Sequence, residues 1–423
     1  MLTQAPKGTK DVLPEASCRW QAVEVICRET AAAAGYREIR TPIFEHTELF
    51  LRGVGDTTDI VQKEMYTFED KAGRSITLRP EGTAGAVRAL VEHSLYAGPL
   101  PVKMFYLSSP IFRYEAPQSG RYRQHHQFGC ELFGAAEPTA DAEVILLLLR
   151  VLQCAGLSNL AVSLNSIGCA VCRKRYHEAL RGFLSDKLGN LCKTCNDRFQ
   201  RNPMRILDCK EETCQKQLTG APVTLDFLCD GCGAHFDGLQ KALSALGAAY
   251  AIDPRIVRGL DYYTRTVFEV SMKTASAPVA VCGGGRYDGL VEQLGGPSMP
   301  GFGFGMGMER LLLLLSDKGV ILPEPALFDV YVAALGADAR LPALLLVQSL
   351  RDAGVKAEMD HMGRSLKAQF KSADKVNAPF VMIVGGDELS RGMVKIRDMQ
   401  TKNEKEVALD MAVRAIKEEG APR

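Results

Sequence analysis

Gly301-Phe-Gly-Phe-Gly-Met-Gly-Met-Glu-Arg310, running into five leucines at 311–315, puts glycine at every odd position from 301 to 307. Apolar residues fill the even ones. Successive side chains of a strand point to opposite faces, so one face of this segment is bare backbone. A bare face admits a flat ligand at close range, and the helix predicted to follow offers Arg310 beside it. A strand packed tightly against another backbone has the same signature, and glycine alternation alone does not choose between them.

Moving outward, Phe112-Arg113-Tyr114-Glu115 closes a strand predicted over residues 101–113. A polar loop, Gln118-Ser-Gly-Arg-Tyr-Arg-Gln124, leads to a returning strand over 126–133. An arginine at a strand end can present its planar fork to phosphate, although an isolated one is more often a solvated ion pair. Upstream, residues 17–34 read as a helix, with Trp20, Val23, Ile26 and Cys27 at helical spacing and Gly35 placed to end it. Residues 36–41 read as a strand stopped by Pro42, and 68–78 as a hairpin turning at 71–73. Residues 141–155 form a helix, and strands resume at 267–270 and 279–282.

Eight of the 13 cysteines fall in four close pairs: Cys169 and Cys172, Cys192 and Cys195, Cys209 and Cys214, Cys229 and Cys232. The N-terminus carries no apolar core of a signal peptide, so a cytoplasmic, reducing setting and metal ligation are expected rather than disulfides. A two-residue gap lets both thiolates turn inward on one tetrahedral Zn²⁺. Eight thiols suit two sites of four, and the spacing leaves the partition open; the first two pairs, across 173–191, already have a four-cysteine spacing. Unmetallated thiols are the plainer alternative. Four thiolates leave no open position for water, so a structural role is expected.

The chain, at 423 residues, is too long for one core and implies two or three domains. Residues 165–250, with their cysteine pairs and short helical segments, read as an insertion. Residues 316–325 read as a linker, and strands alternating with helices beyond it suggest a small α/β domain. There Arg364, Lys367, Lys371 and Lys375 are spaced along one helix face. Lys+Arg and Asp+Glu balance at 51 to 50, so any nucleic-acid contact must come from such a local patch. No apolar run approaches the ~18–20 residues of a membrane span, and no membrane partner is expected.

Taken together, these segments resemble class II aminoacyl-tRNA synthetases. The helix and strand over 17–42 resemble motif 1, the basis of a homodimer. Phe112–Glu115 with its loop and returning strand resembles motif 2, and the glycine segment with Arg310 resembles motif 3. Two further stretches, Val257-Arg258-Gly-Leu-Asp-Tyr262-Tyr263 and Cys282-Gly-Gly-Gly-Arg-Tyr-Asp-Gly289, resemble signatures of the histidyl-tRNA synthetase family. Leu78-Arg-Pro-Glu81-Gly-Thr83 and Gln127-Phe-Gly-Cys-Glu131 match it as well.

The resemblance, over about residues 5–415, implies an α+β catalytic core at 1–326. Its antiparallel sheet would be flanked by helices and carry the Cys-rich insertion. An α/β anticodon-binding domain would follow at 327–423. It implies that ATP, with Mg²⁺, activates L-histidine and that tRNA(His) receives it; on that reading Cys192→Ser is expected to weaken tRNA charging while sparing histidine activation. Arg113 and Arg258 would stabilise the α-phosphoryl charge, Arg310 would meet the γ-phosphate, and Glu115 would help bind ATP. Glu81 and Tyr263, with Tyr262 beside them, would hold the imidazole; Thr83, Gln127 and Glu131 would hold the backbone end of histidine. A neutral imidazole has one donor and one acceptor nitrogen, which a phenol and a carboxylate can both read. The same resemblance leaves one rival, a regulatory paralogue of ATP phosphoribosyltransferase that lacks the anticodon domain and erodes the catalytic motifs.

Overall fold

A computed structural model describes residues 3–55, 58–273, 278–323 and 327–419. The glycine segment is a strand, Gly301–Gly307, antiparallel to Gln124–Phe133 on one side and to Pro278–Arg286 on the other. These are the centre of an eight-stranded sheet. From edge to edge it runs Arg37–Glu38, Val102–Phe112, Gln124–Phe133, Gly301–Gly307, Pro278–Arg286, Thr264–Lys273, Leu160–Ser166 and Tyr250–Ile252. The two outermost pairs are parallel and the rest antiparallel.

Register decides what each face carries. Gly303 lies opposite Glu131 and Gly307 opposite Gln127, while Gly305 lies between Gly129 and Gly283. With a side-chain period of two, those residues share one face. Phe302, Phe304 and Met306 join Phe128, Cys130 and Leu132 on the other. That face is the main core, buried against the helices Pro14–Ala33, Pro138–Cys154, Asp230–Ala245 and Met308–Asp317.

The expected strand over 36–41 shrinks to Arg37–Glu38, because only those two residues pair with the neighbouring strand before the chain turns at Pro42. The hairpin is present as Tyr66–Glu69 and Ser75–Leu78, completed by Phe44–His46 into a small sheet of its own. The stretch at 165–250, read as an insertion, carries the cysteine pairs and is tied to the rest of its unit at both ends. Its ends belong to the large sheet, where Leu160–Ser166 pairs with Tyr250–Ile252, and Phe236, Leu239 and Leu243 lie in the main core. Its middle packs on the site face, where Tyr176, Leu180 and Ile206 share a cluster with Tyr262, Tyr263 and Tyr287.

The chain divides into two compact units, Met1–Pro323 and Glu324–Arg423. Ser316 still belongs to the helix Met308–Asp317, so the expected linker begins later than 316. The boundary expected at 326/327 falls outside the described residues. In the second unit the sheet order is Ala357–Met359, Val330–Leu335, Phe380–Gly385, Met393–Asp398, Glu404–Ala408, parallel for the first three strands and antiparallel after. Helices Arg340–Asp352 and Leu366–Lys375 pack on it. Among the described residues no helix is long and apolar enough to cross a membrane.

Candidate active site and cysteine clusters

The site face of the central strands holds a carboxylate with no exposed surface. Glu131 projects toward Gly303, where an added Cβ would overlap its Oε2. Its Oε1 accepts from the Thr83 hydroxyl at 2.8 Å and from the Tyr106 phenol at 3.2 Å, and its Oε2 accepts from Tyr287. Burial pushes its carboxyl up to about 8, and the three donors only partly offset this. Glu81 is also buried. Its two oxygens accept from the backbone N–H groups of Thr83 (2.8 Å) and Ala84 (2.7 Å), at the start of the helix Thr83–Glu92. Burial raises its carboxyl too, against those N–H groups. Tyr262 and Tyr263 are buried beside these carboxylates, with ring centroids 4.7 Å apart, and Tyr287 meets Tyr262 edge-on at 5.6 Å.

Along the same face toward Gly307, the surface opens. A cavity of about 320 Å³ is lined by Gly305, Gly307 and Gly283, by Gln127, and by Arg113, Arg258 and Arg310. Each arginine is anchored at one point. Arg113 Nε donates to the carbonyl of Pro80 at 2.8 Å, and Arg310 Nη1 to that of Ala280 at 2.8 Å. Arg258 Nη1 lies 3.4 Å from Glu269, and its buried Nε has no partner among the described residues. A buried unpaired donor on a cation is costly, and an anion is the ligand that relieves it. Glu115 and Glu269 are the carboxylates of the cavity, and His125 lines it too. Burial, with Arg113 beside it, pushes His125 down to about 4 and keeps it neutral.

This is a buried cluster of carboxylates and tyrosines beside an open cationic cavity, both on one glycine-rich sheet face. A family model described as Histidyl-tRNA synthetase matches residues 8–311. The chain belongs to the histidyl-tRNA synthetase family. A model described as Anticodon binding domain matches residues 329–419. The histidine–tRNA ligase of Caldanaerobacter subterraneus subsp. tengcongensis is 55% identical over 417 residues, covering 99% of this chain and 100% of the relative. That of Thermoanaerobacter pseudethanolicus is 54% identical with the same coverage. Among solved structures, apo histidyl-tRNA synthetase of S. aureus superposes with a TM-score of 0.85 at 39% identity, covering 98% of this chain and all of the other.

The fold expected from the resemblance is that of the family: a catalytic sheet core with helices, and a C-terminal anticodon-binding domain. Of the residues named for histidine, Glu81, Thr83, Glu131, Tyr262 and Tyr263 lie together in the buried cluster. Gln127 and the four residues named for ATP (Arg113, Glu115, Arg258 and Arg310) line the cavity. Tyr106 and Tyr287, two of the three donors to Glu131, were not singled out by sequence. Tyr287 stood inside a quoted signature, but nothing there said that it turns to the site. Its neighbour Arg286 turns to the other side, where it is fully buried on Asp141 and Asp288 and has no role at the cavity.

The cysteines fall into two groups, Cys169 with Cys172, Cys229 and Cys232, and Cys192 with Cys195, Cys209 and Cys214. The first pair therefore joins the fourth across the chain, and the second and third nest inside; the adjacency of the first two pairs is not used. Within each group all sulfurs lie within 4.8 Å of one another, with 3.6 Å between Cys169 and Cys172 and 4.0 Å between Cys192 and Cys209. Ligands at ~2.3 Å from a tetrahedral Zn²⁺ stand roughly 3.8 Å apart, so both groups fit that ion.

In the second unit, Lys367, Lys371 and Lys375 are exposed along the helix Leu366–Lys375, and none forms an ion pair among the described residues. Arg364 is not part of that stripe. It precedes the helix and is held by Asp360, which also accepts from the Arg364 backbone at 2.7 Å.

Proposed function

We propose that this chain is a histidine–tRNA ligase, activating L-histidine with ATP and transferring it to the 3′ end of tRNA(His). The observation that carries the reading is the adjacency of the two compartments. One offers buried carboxylates and phenols to a small polar molecule, and the other offers three arginines to a polyphosphate. Glu81 and Tyr263, steadied by Tyr262, would read the two imidazole nitrogens. Thr83, Gln127 and Glu131 would take the ammonium end, a cation suited to a carboxylate so deeply buried.

The histidine carboxylate would attack the α-phosphorus, forming the C–O–P bond as the bond to pyrophosphate breaks. A terminal ribose hydroxyl of the tRNA would then attack the histidyl carbonyl and release AMP. No enzyme nucleophile is needed, and catalysis is positioning plus charge stabilisation. Arg113 and Arg258 would stabilise charge at the α-phosphoryl group and Arg310 at the departing end. Mg²⁺, held through Glu115 and Glu269 with the phosphates, would neutralise further charge.

Both cysteine groups are proposed to hold Zn²⁺. The helix and strand over 17–42 would build a homodimer, the second unit would contact the anticodon with its lysine stripe, and the enzyme would act in the cytosol. The regulatory-paralogue reading fits less well, because Arg113, Arg258 and Arg310 all line one cavity and the anticodon-domain match is present. ATP–pyrophosphate exchange across a panel of amino acids tests the assignment. Exchange with histidine alone is expected; none, or exchange with another amino acid, would overturn it.

A further inference from the structure

The segment between the strands Tyr250–Ile252 and Thr264–Lys273 has no regular structure, yet it carries Arg258, Tyr262 and Tyr263. An irregular segment at a buried site must find partners for its backbone carbonyls outside itself. At its start Asn165, in the strand Leu160–Ser166, donates to the carbonyls of Pro254 (3.2 Å) and Ile256 (3.0 Å); those of Arg258 and Tyr263 are held from the cysteine-rich stretch. Arg205, 7% exposed, donates from Nη1 to the carbonyl of Arg258 at 2.8 Å. It sits in the buried turn Pro203–Ile206, between Cys195 and Cys209 of the second cysteine group. Arg198, one turn past Cys195, donates to the Arg205 carbonyl at 3.2 Å and pairs with Asp59 at 2.7 Å. Asn202 reaches Asp261 at 3.1 Å. Arg173, the residue after Cys172 of the first group, donates to the carbonyl of Tyr263 at 3.3 Å.

We propose that Arg173 and Arg205 are positioning residues, held by the two cysteine groups, that fix the Tyr263 and Arg258 ends of the catalytic segment. The inference rests on the ligase reading above. It reverses the sequence-based expectation that the cysteines serve tRNA charging and spare activation. Each group touches a different end of the segment, so the two links have different consequences. Loss of the Arg205 link displaces the cation that meets the transition state, and loss of the Arg173 link displaces a wall of the histidine pocket. An interaction made only in the transition state shows in kcat, and one shared with the ground state shows in binding.

Arg205→Met and Arg173→Met separate these consequences in histidine-dependent pyrophosphate exchange. Arg205→Met should lower kcat by about 10²-fold, the cost of a misplacement on the order of 1 Å, with histidine affinity little changed. Arg173→Met should weaken histidine binding by about tenfold with a smaller fall in kcat. Both should retain the zinc content of the wild type. Cys192→Ser should lower zinc content and speed amide hydrogen exchange over residues 256–262, a readout independent of activity. Arg→Gln at the same positions keeps a donor and is read in the same way where a methionine variant does not fold. Wild-type kinetics in both variants, or equal losses of kcat and of histidine affinity in each, would overturn the proposal, as would unchanged exchange in Cys192→Ser. Absence of histidine-dependent exchange in the wild type would instead remove the ligase reading itself.

Discussion

The two ends of the strand Gly301–Gly307 look alike in sequence and do opposite things. At Gly301 and Gly303 the missing side chains make room for the protein's own groups, the Tyr287 ring and the Glu131 carboxylate. At Gly305 and Gly307 the nearest atoms to an added Cβ lie at ordinary contact distance, 3.5 Å to Gln127 and 3.9 Å to Arg310, and the strand faces the cavity. Glycine thus buys two different things within seven residues. One end is packed as a core around a titratable group, and the other is kept clear beside a ring of cations.

The largest effect expected is on the cationic side. Arg258→Ala should leave the fold intact and reduce pyrophosphate exchange by about 10²–10³-fold, as loss of one preorganised donor to developing charge does. Near wild-type exchange would take Arg258 out of the reaction and leave the cavity without its central cation.

The contrast between the two ends is tested by the same substitution at each. Gly303→Ala should destabilise the protein by about 1–3 kcal/mol, the usual cost of overpacking, because its Cβ meets the Glu131 carboxylate and the Cys130 carbonyl. Gly305→Ala should cost less than about 1 kcal/mol in urea unfolding, while raising the KM for ATP. Equal stability losses would mean that both ends are simply core.

Acidity separates the compartments in a third way. The Glu131 carboxyl is raised by burial to about 8, above the ordinary 4.5, so folding takes up a proton between those values. Its burial favours the ligand-free fold at low pH, and this contribution is lost as pH rises through about 8. Glu131→Gln should therefore gain stability relative to wild type as pH goes from about 5 to 8. Parallel stability profiles for the two proteins would show that the carboxyl titrates normally.

The smallest effect belongs to the second unit. Replacing Lys367, Lys371 and Lys375 by alanine should lower tRNA charging, most at low salt where the lysines are least screened, and leave pyrophosphate exchange unchanged. A loss shared equally by both reactions would move the stripe from RNA contact to a supporting role.

Alternation, strand ends and spacing made much of this legible in the chain. The period of two at 301–307, the strand-end arginine and the family signatures pointed to the three arginines, Gln127 and the two buried carboxylates, because those signals are local; Tyr106, His125 and Glu269 lay outside every motif. The paired cysteines likewise announced themselves as ligands. Three things needed the tertiary structure. Register made Gly303 the seat of Glu131 and Gly305 the floor of a cavity, and register is a property of paired strands rather than of one. The grouping of the first cysteine pair with the fourth depends on bringing Cys172 and Cys229 to one place across several helices that themselves hold the second group, which ligand spacing does not encode. The bonds from Arg173 and Arg205 to two backbone carbonyls are made by residues outside any motif. A carbonyl leaves no mark in the sequence, so only the folded chain could show which side chains were placed to hold it.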